Sequence, residues 1–497
     1  MADAAPAAGD SLSEAPRSLR KETVSGVAWT GGSSVVQAVL QLVRVTVLAR
    51  MLSPDDFGLM AMVTVIVAVA EVMANMGLGE AIIYRQTTSR DHLSSLYWLN
   101  VAGGIAAFAI IWASTPLFVR LYSEPRLVGI IFWVAVSFAI SGPGRQFEVL
   151  LRRDLRFKMV GGVEVTSAVT ATIVAIVMAV LGAGVYALVW GLVAGSVSKT
   201  LVLFATAARS YLPRLHFRTS DLRGYVGFGA YRTGELIVNQ VILRCGQLLM
   251  GIVLGASALG FYQMAYNIAF QPVTQVNPIL VKVTFPVFAK MQNDIQRLKR
   301  GFFLQMRFLS LITVPLLFGI AAVARPFVST VLGNEWLPAV PILQVLALLG
   351  LMRSLNSPIQ SILMVSGRLK EFFWWNVVLL VALVPSILIG ASLDGPVGVA
   401  IVWLILQTGF TVITYLRLTR PILGPCLGDY ATSMGPAILA GAVMGALVYF
   451  ASHMPATPSG WAGLMALVTL GILIYAAELG LLLKRDLVLL LGRGRAG

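Results

Sequence analysis

From about residue 24 to residue 483 the chain alternates long apolar runs with short polar interruptions that are mostly basic. Each run is long enough for an α-helix to cross a bilayer core of about 30 Å. Within a run, apolar residues follow one another without the in–out alternation of a membrane β-strand, which excludes an outer-membrane barrel. The pattern predicts an all-α polytopic membrane protein. Its 14 spans lie at about 24–50, 55–80, 93–118, 127–151, 159–182, 184–207, 224–251, 257–286, 302–326, 338–364, 372–393, 396–416, 430–452 and 460–483. The first run is too long for a signal-peptide core and ends without a convincing cleavage site.

Charge orients these spans. With a cytosolic N-terminus, the inside segments hold 25 basic residues and the outside segments four (Arg50, Arg120, Arg126 and Arg325). Such a bias in short loops places both termini in the cytosol. The expected organisation is a disordered tail (1–23), a six-helix lobe (24–207), a cytosolic linker (208–223) and a second six-helix lobe (224–416). Two extra helices (417–483) and a basic cytosolic tail (484–497) complete it.

Weak internal similarity supports two lobes. An offset of 202 sets Leu52–Gly58 on Leu254–Gly260, and one of 214 sets Gly184-Val185 on Gly398-Val399. Lobes of six helices share one orientation, so a pseudo-two-fold axis would run along the membrane normal.

Polar residues recur at helical spacing in the first two spans of each lobe. Span 1 carries Thr30, Ser33, Gln37, Gln41 and Arg44 on one face, and span 2 carries Thr64, Glu71 and Asn75. Span 7 has one stripe of Arg232, Glu235 and Asn239 and another of Gln240, Arg244 and Gln247, and span 8 carries Gln263, Asn267, Gln271 and Thr274. Four such faces would line a hydrated central cavity; amides and hydroxyls bonding across a dry helix interface explain the same stripes.

Charge inside the spans is harder to assign to glue. Eight basic residues lie there (Arg44, Arg145, Lys199, Arg232, Arg244, Lys282, Arg307 and Arg353) against five glutamates (Glu71, Glu148, Glu164, Glu235 and Glu478). Buried charge is costly and marks function by default. Arg145 with Glu148, and Arg232 with Glu235, have the i, i+3 spacing of self-neutralising pairs. Lys199, Lys282 and Arg307 are near enough to a cytosolic end to snorkel. Arg44, Arg244 and Arg353 rank first as ligands, and an excess of cations suits an anionic cargo, with arginine's planar fork matching phosphate. The expected substrate site is Arg44, Arg244, Arg353, Arg232, Arg145, Lys282, Gln37, Gln41 and Asn239, with Glu71 and Glu235 as sites for a coupling ion. Pro143, Pro272, Pro278, Pro286, Pro315 and Pro358 are expected to break their helices.

Composition narrows the classes further. Of 497 residues, 58% are hydrophobic and 12% charged, with a mean hydropathy of +0.84. A soluble chain carries about 25% charge. The net charge of +15 belongs to the cytosolic loops, so no nucleic acid is expected. Cys245 and Cys426 read as free thiols, and His92, His216 and His453 have no ligand spacing, so neither metal nor cofactor is expected. No phosphate-binding GxxxxGK[ST] loop occurs, and no outside loop is long enough for a catalytic domain, so no catalytic residue is assigned. Asp55-Asp56, directly after Ser53-Pro54, are expected to cap span 2.

Three stretches resemble one known family: Gly26-Val-Ala-Trp29, Leu48-Ala-Arg-Met-Leu-Ser-Pro-Asp-Asp-Phe-Gly-Leu-Met60 and Leu150-Leu-Arg-Arg-Asp-Leu-Arg-Phe-Lys158. The chain is similar to the polysaccharide-transport family of the multidrug/oligosaccharidyl-lipid/polysaccharide exporter superfamily, closest to Wzx-type flippases of the colanic-acid and xanthan class. The resemblance runs from about residue 20 to 480. It implies a bacterial inner-membrane flippase that moves an undecaprenyl-diphosphate-linked oligosaccharide to the periplasmic leaflet by alternating access, for exopolysaccharide or O-antigen synthesis. Membrane lipid, a polysaccharide polymerase and a chain-length regulator are its implied partners. A peptidoglycan-precursor flippase is an alternative that shares the spans and a basic cavity. A cation-coupled small-molecule or drug exporter of the same superfamily is a second alternative and predicts an acidic cavity; a membrane-embedded glycosyltransferase or polymerase predicts a long outside loop.

Overall fold

The structure, a computed structural model, describes residues 15–75, 89–219, 226–291, 294–366, 368–455 and 458–493. These residues form helices and contain no strand. The long helices are α1 (Ala15–Ala49), α2 (Pro54–Asn75), α3 (Arg90–Tyr122), α4 (Leu127–Arg153), α5 (Phe157–Val180) and α6 (Tyr186–Tyr211). They continue with α7 (Val226–Lys290), α8 (Ile295–Ala322), α9 (Ala339–Val365), α10 (Leu369–Thr414), α11 (Leu427–Ser452) and α12 (Gly460–Arg493). Each contains a stretch apolar and long enough to cross a membrane, 12 among the described residues.

Two of the twelve are far longer than a bilayer is thick. α7 has 65 residues and α10 has 46, about 98 and 69 Å if straight. Both are interrupted where a turn between spans is expected. In α7, Gly255 has φ 78°; in α10, Asp394 and Gly395 leave the helix, Gly395 with φ 52°. A positive φ costs glycine nothing, having no Cβ. At α10 the chain doubles back, since a Cβ on Gly390 would lie 2.8 Å from the Gly398 carbonyl oxygen. In a straight helix those residues would be about 12 Å apart. α10 is therefore a helical hairpin.

Helix ends follow local chemistry. Ser53 and Asp56 form a reciprocal cap on α2: the Asp56 carboxylate accepts from the Ser53 N–H at 3.0 Å and hydroxyl at 2.8 Å, and the Ser53 hydroxyl accepts from the Asp56 N–H at 3.3 Å. Asp55, expected to share this role, instead pairs with Arg126 at 2.6 Å. Asp294 caps α8 by accepting from the N–H groups of Gln296 and Arg297, both at 3.1 Å.

Three expectations differ from the structure. α1 begins at Ala15, inside the segment read as tail, where Leu, Arg, Lys and Glu favour helix. α12 likewise runs on to Arg493 through an apolar Leu-Val-Leu-Leu-Leu stretch. The six prolines do not break their helices: α4, α7, α8 and α9 pass through them with no non-helical residue there. Neighbouring helices and local adjustments satisfy the backbone groups that a membrane proline frees.

The chain divides into two compact units, Met1–Arg244 and Cys245–Gly497. In unit 1, α3 and α4 touch backbone to backbone, with a Cβ on Gly104 2.7 Å from the Phe138 carbonyl oxygen. Beside this contact Asn100 donates to Gln146 at 3.4 Å, and Gln146 donates to the Leu93 carbonyl at 2.7 Å. Small residues letting backbones approach, with amides bonding across, is how membrane helices associate. Past α6 the chain straps over the start of α3: the Arg214 and Arg218 N–H groups donate to the Ser94 and Ser95 hydroxyls at 3.0 and 3.1 Å. Trp98 Nε1 donates to the Arg214 carbonyl at 3.0 Å, and the Tyr211 hydroxyl donates to Asp154. In unit 2, α8 packs against α9 through Val314, Leu317 and Leu351, and against α11 through Ala437.

Candidate functional site

Unit 1 holds a cavity of about 420 Å³ between α2, α4 and α6. Val67 and Glu71 of α2 face it, with Ser137, Ser141, Arg145 and Glu148 of α4 and Ser196, Lys199 and Thr200 of α6. Residues 141, 145 and 148 are spaced 4 and 3 apart, which sets them on one face of α4. Lys199 Nζ lies 2.7 Å from Glu148, so it is held inside the cavity by a carboxylate and does not snorkel. Glu148 also pairs with Arg152 at 2.9 Å, and Arg152 reaches Glu164 of α5 at 2.7 Å. Gln37 of α1 completes the relay, donating to Glu164 at 3.2 Å.

This chain of groups ties four helices together and corrects the pairing expected from spacing. Glu148 turns to Arg152 one turn on and to Lys199 across the cavity. Arg145 donates to the Ser141 hydroxyl at 3.4 Å and lies 5.8 Å over the Phe138 ring. Gln37 serves the α1–α5 interface, as does Ser33, which packs on Gly161. The cavity walls carry Arg145 and Lys199 against Glu71 and Glu148, so its lining charge is balanced. The cationic excess counted along the sequence is not found there.

Unit 2 presents a different arrangement around Arg353, midway along α9. Its guanidinium carbon lies 5.4 Å over the Phe270 ring of α7 and 5.8 Å over the Trp403 ring of α10. Tyr266 stacks on Phe270 at 4.3 Å and on Trp403 at 6.4 Å, so the cation sits in an aromatic sleeve. Among the described residues Arg353 has no carboxylate partner. Ring faces attract the cation through their quadrupole and leave its N–H edge uncommitted. Close by, Ser354 donates to Asn277 at 3.0 Å and Asn356 to Thr411 at 2.6 Å, tying α9 to α7 and α10.

The remaining expected residues are placed as follows. Arg44 is half-buried on α1 with no ion pair among the described residues, and Gln41 is exposed one turn before it. Arg244 is half-buried on α7. The side chains of Arg232, Glu235, Asn239 and Lys282 lie outside the described residues. Sequence reasoning missed Arg152, placed in a loop, and the roles of Glu148, Glu164 and Lys199. The Glu148–Arg152 spacing of i, i+4 was the available signal. No group of three or more metal-ligating residues occurs among the described residues.

Residues 47–341 match the family described as "Polysaccharide biosynthesis protein". The "Lipopolysaccharide biosynthesis protein WzxC" of Escherichia coli (strain K12) is 32% identical over 417 residues, 84% of this chain and 85% of the relative. The "Teichuronic acid biosynthesis protein TuaB" of Bacillus subtilis (strain 168) is 30% identical over 359 residues, 72% of this chain and 74% of the relative. Among solved structures, "Lipid II flippase MurJ, inward closed conformation" aligns with a TM-score of 0.72 at 14% identity, covering 93% of this chain and all of that one. An inward-facing multidrug resistance MATE family transporter aligns at 0.59 and 13% identity, over 78% of this chain and 94% of its own. These likenesses are of fold.

Proposed function

The chain belongs to the polysaccharide biosynthesis protein family, and from that premise we propose that it flips an undecaprenyl-diphosphate-linked oligosaccharide repeat unit from the cytosolic to the periplasmic leaflet of a bacterial inner membrane. The cargo serves exopolysaccharide or O-antigen synthesis and is carried by alternating access between a lobe at 24–207 and a lobe at 224–416. Both termini are cytosolic, α7 and α10 each cross twice at their interruptions, and the crossings number 14. A polysaccharide polymerase and a chain-length regulator receive the product.

The observation that carries this reading is Arg353 in its aromatic sleeve. A lipid-linked oligosaccharide presents a diphosphate and sugar faces together. The guanidinium edge offers phosphate a planar pair of donors, and the rings of Tyr266, Phe270 and Trp403 offer apolar faces on which sugar C–H groups rest. Arg44, Arg244 and Arg145 supply further positive charge along the route, and Glu71 takes the coupling cation.

The test is the melting temperature of the purified protein with undecaprenyl diphosphate and with a lipid-linked oligosaccharide. A ligand at 100 times its Kd stabilises the folded state by about 2.7 kcal/mol. The wild type is expected to respond and Arg353→Ala to lose the response. Equal responses in both would remove Arg353 from the site, and no response in the wild type would overturn the substrate class.

A further inference from the structure

A second pocket, of about 320 Å³, lies within unit 2 where α8 ends and α11 passes to α12. It is separate from the sleeve of Arg353 and shares no residue with it. Arg325 and Pro326 form one side, with Ser329 and Thr330 of the following π-helical turn. Ser452 and His453 form another at the end of α11, and Ser459, Gly460 and Gly463 border it at the start of α12. Leu464 and Leu467 make an apolar floor. Among the described residues no carboxylate lines it, and the exposed Arg325 guanidinium makes no hydrogen bond or ion pair.

The Ser329 hydroxyl donates to the Pro326 carbonyl at 3.3 Å, a long bond that a ligand would replace, and the Ser452 hydroxyl to the Tyr449 carbonyl at 2.7 Å. The His453 ring lies tilted against Tyr449, centroids 4.5 Å apart, and its Nδ1 donates to the Tyr449 carbonyl at 2.8 Å. A carbonyl only accepts, so Nδ1 carries the proton and Nε2 is the nitrogen left for a ligand. The loop carbonyl of Pro458 closes over Gly463 so tightly that a Cβ there would overlap it. That contact fixes Ser459 against the first turn of α12, whose leading N–H groups have no partner within the helix.

We propose that this pocket binds the phosphate of an anionic phospholipid headgroup, with Arg325 as the cationic donor, Ser329 and Ser459 as hydroxyl donors, the His453 Nε2 accepting from a headgroup hydroxyl, and Leu464 and Leu467 beneath the glycerol. An arginine and converging hydroxyls without a competing carboxylate select a phosphate oxyanion over a neutral or cationic headgroup. The volume is at the small end of ligand sites, about 300–1,000 Å³, which suits one headgroup and not an oligosaccharide. That the lipid comes from the outer leaflet rests on the orientation proposed above.

Native mass spectrometry of the full chain with added phosphatidylglycerol or phosphatidylethanolamine tests the assignment. The wild type is expected to retain phosphatidylglycerol several-fold over phosphatidylethanolamine, and the combined Arg325→Gln and His453→Gln variant to lose at least fivefold of it with an unchanged melting temperature. Equal retention of the two lipids, or full retention by the variant, overturns the proposal. Displacement by millimolar glycerol phosphate shows that a free phosphate suffices and overturns the lipid as the ligand; retention against it supports the lipid. Ser329→Cys, made with Cys245→Ser and Cys426→Ser, should react with an impermeant maleimide from outside the cell. Labelling only from the cytosolic side overturns the outer-leaflet source, independently of flipping.

Discussion

Glu148 holds two cations, Arg152 from its own helix and Lys199 from α6, and is the joint of the unit 1 network. Removing its charge strands Lys199 and leaves Arg152 to Glu164 alone. Glu148→Gln should cost about 1–3 kcal/mol, the cost of leaving a shielded polar group without its partner, seen as a lower melting temperature of the purified protein. Lys199→Met should cost less, because Arg152 still holds the carboxylate, and the two changes together should cost less than their sum. At this scale the sequence was informative about depth and poor on partners. Arg353 was legible as a cation too deep to snorkel, but its sleeve was not, because Phe270 and Trp403 come from helices whose rotation hydropathy does not specify. Arg145 and Glu148 were paired on spacing alone; α6 supplies the partner that wins.

Helix contacts are set by residues that carry no charge. Gly104→Val would press a side chain into the Phe138 carbonyl of α4 and should destabilise by about 1–3 kcal/mol, the usual cost of overpacking. Gly162→Ala on α5, where nothing lies within 4 Å, is the matched control; it should leave stability unchanged or raise it slightly, since alanine favours helix. The strap beyond α6 gives a pH-dependent readout. Burial alone would raise the Asp154 carboxyl, but hydrogen bonds from Tyr211 and Arg153 hold it below the usual carboxylate range. A depressed value contributes stability above the unfolded value of about 3.9, and that contribution is lost as pH falls through the folded value. Hydrogen exchange at the Arg214 and Arg218 amides, corrected for intrinsic rate, should therefore speed up below about pH 4, and Tyr211→Phe, by removing one of the bonds that lower Asp154, should flatten that pH dependence.

For the whole molecule, hydropathy was sufficient for the class of fold, because a bilayer leaves a long apolar run little choice but a helix. Ends were read less well: α1 begins before the first apolar run, in residues whose helix propensity hydropathy ignores, and α12 continues past a charged Lys484–Asp486 break into a second, short apolar stretch. Orientation rests on the basic residues, so a reporter active only in the periplasm should work when inserted between α11 and α12 and stay silent when fused after Arg493. The reversal in α10 bears on how such a chain is made. Gly390 and Gly398 meet only eight residues apart, so the second arm can close on the first as soon as the ribosome has released it, before any later helix exists. The pair then leaves the insertion channel as one object, with its two ends on one side and little more than the Asp394–Gly395 bend carried across.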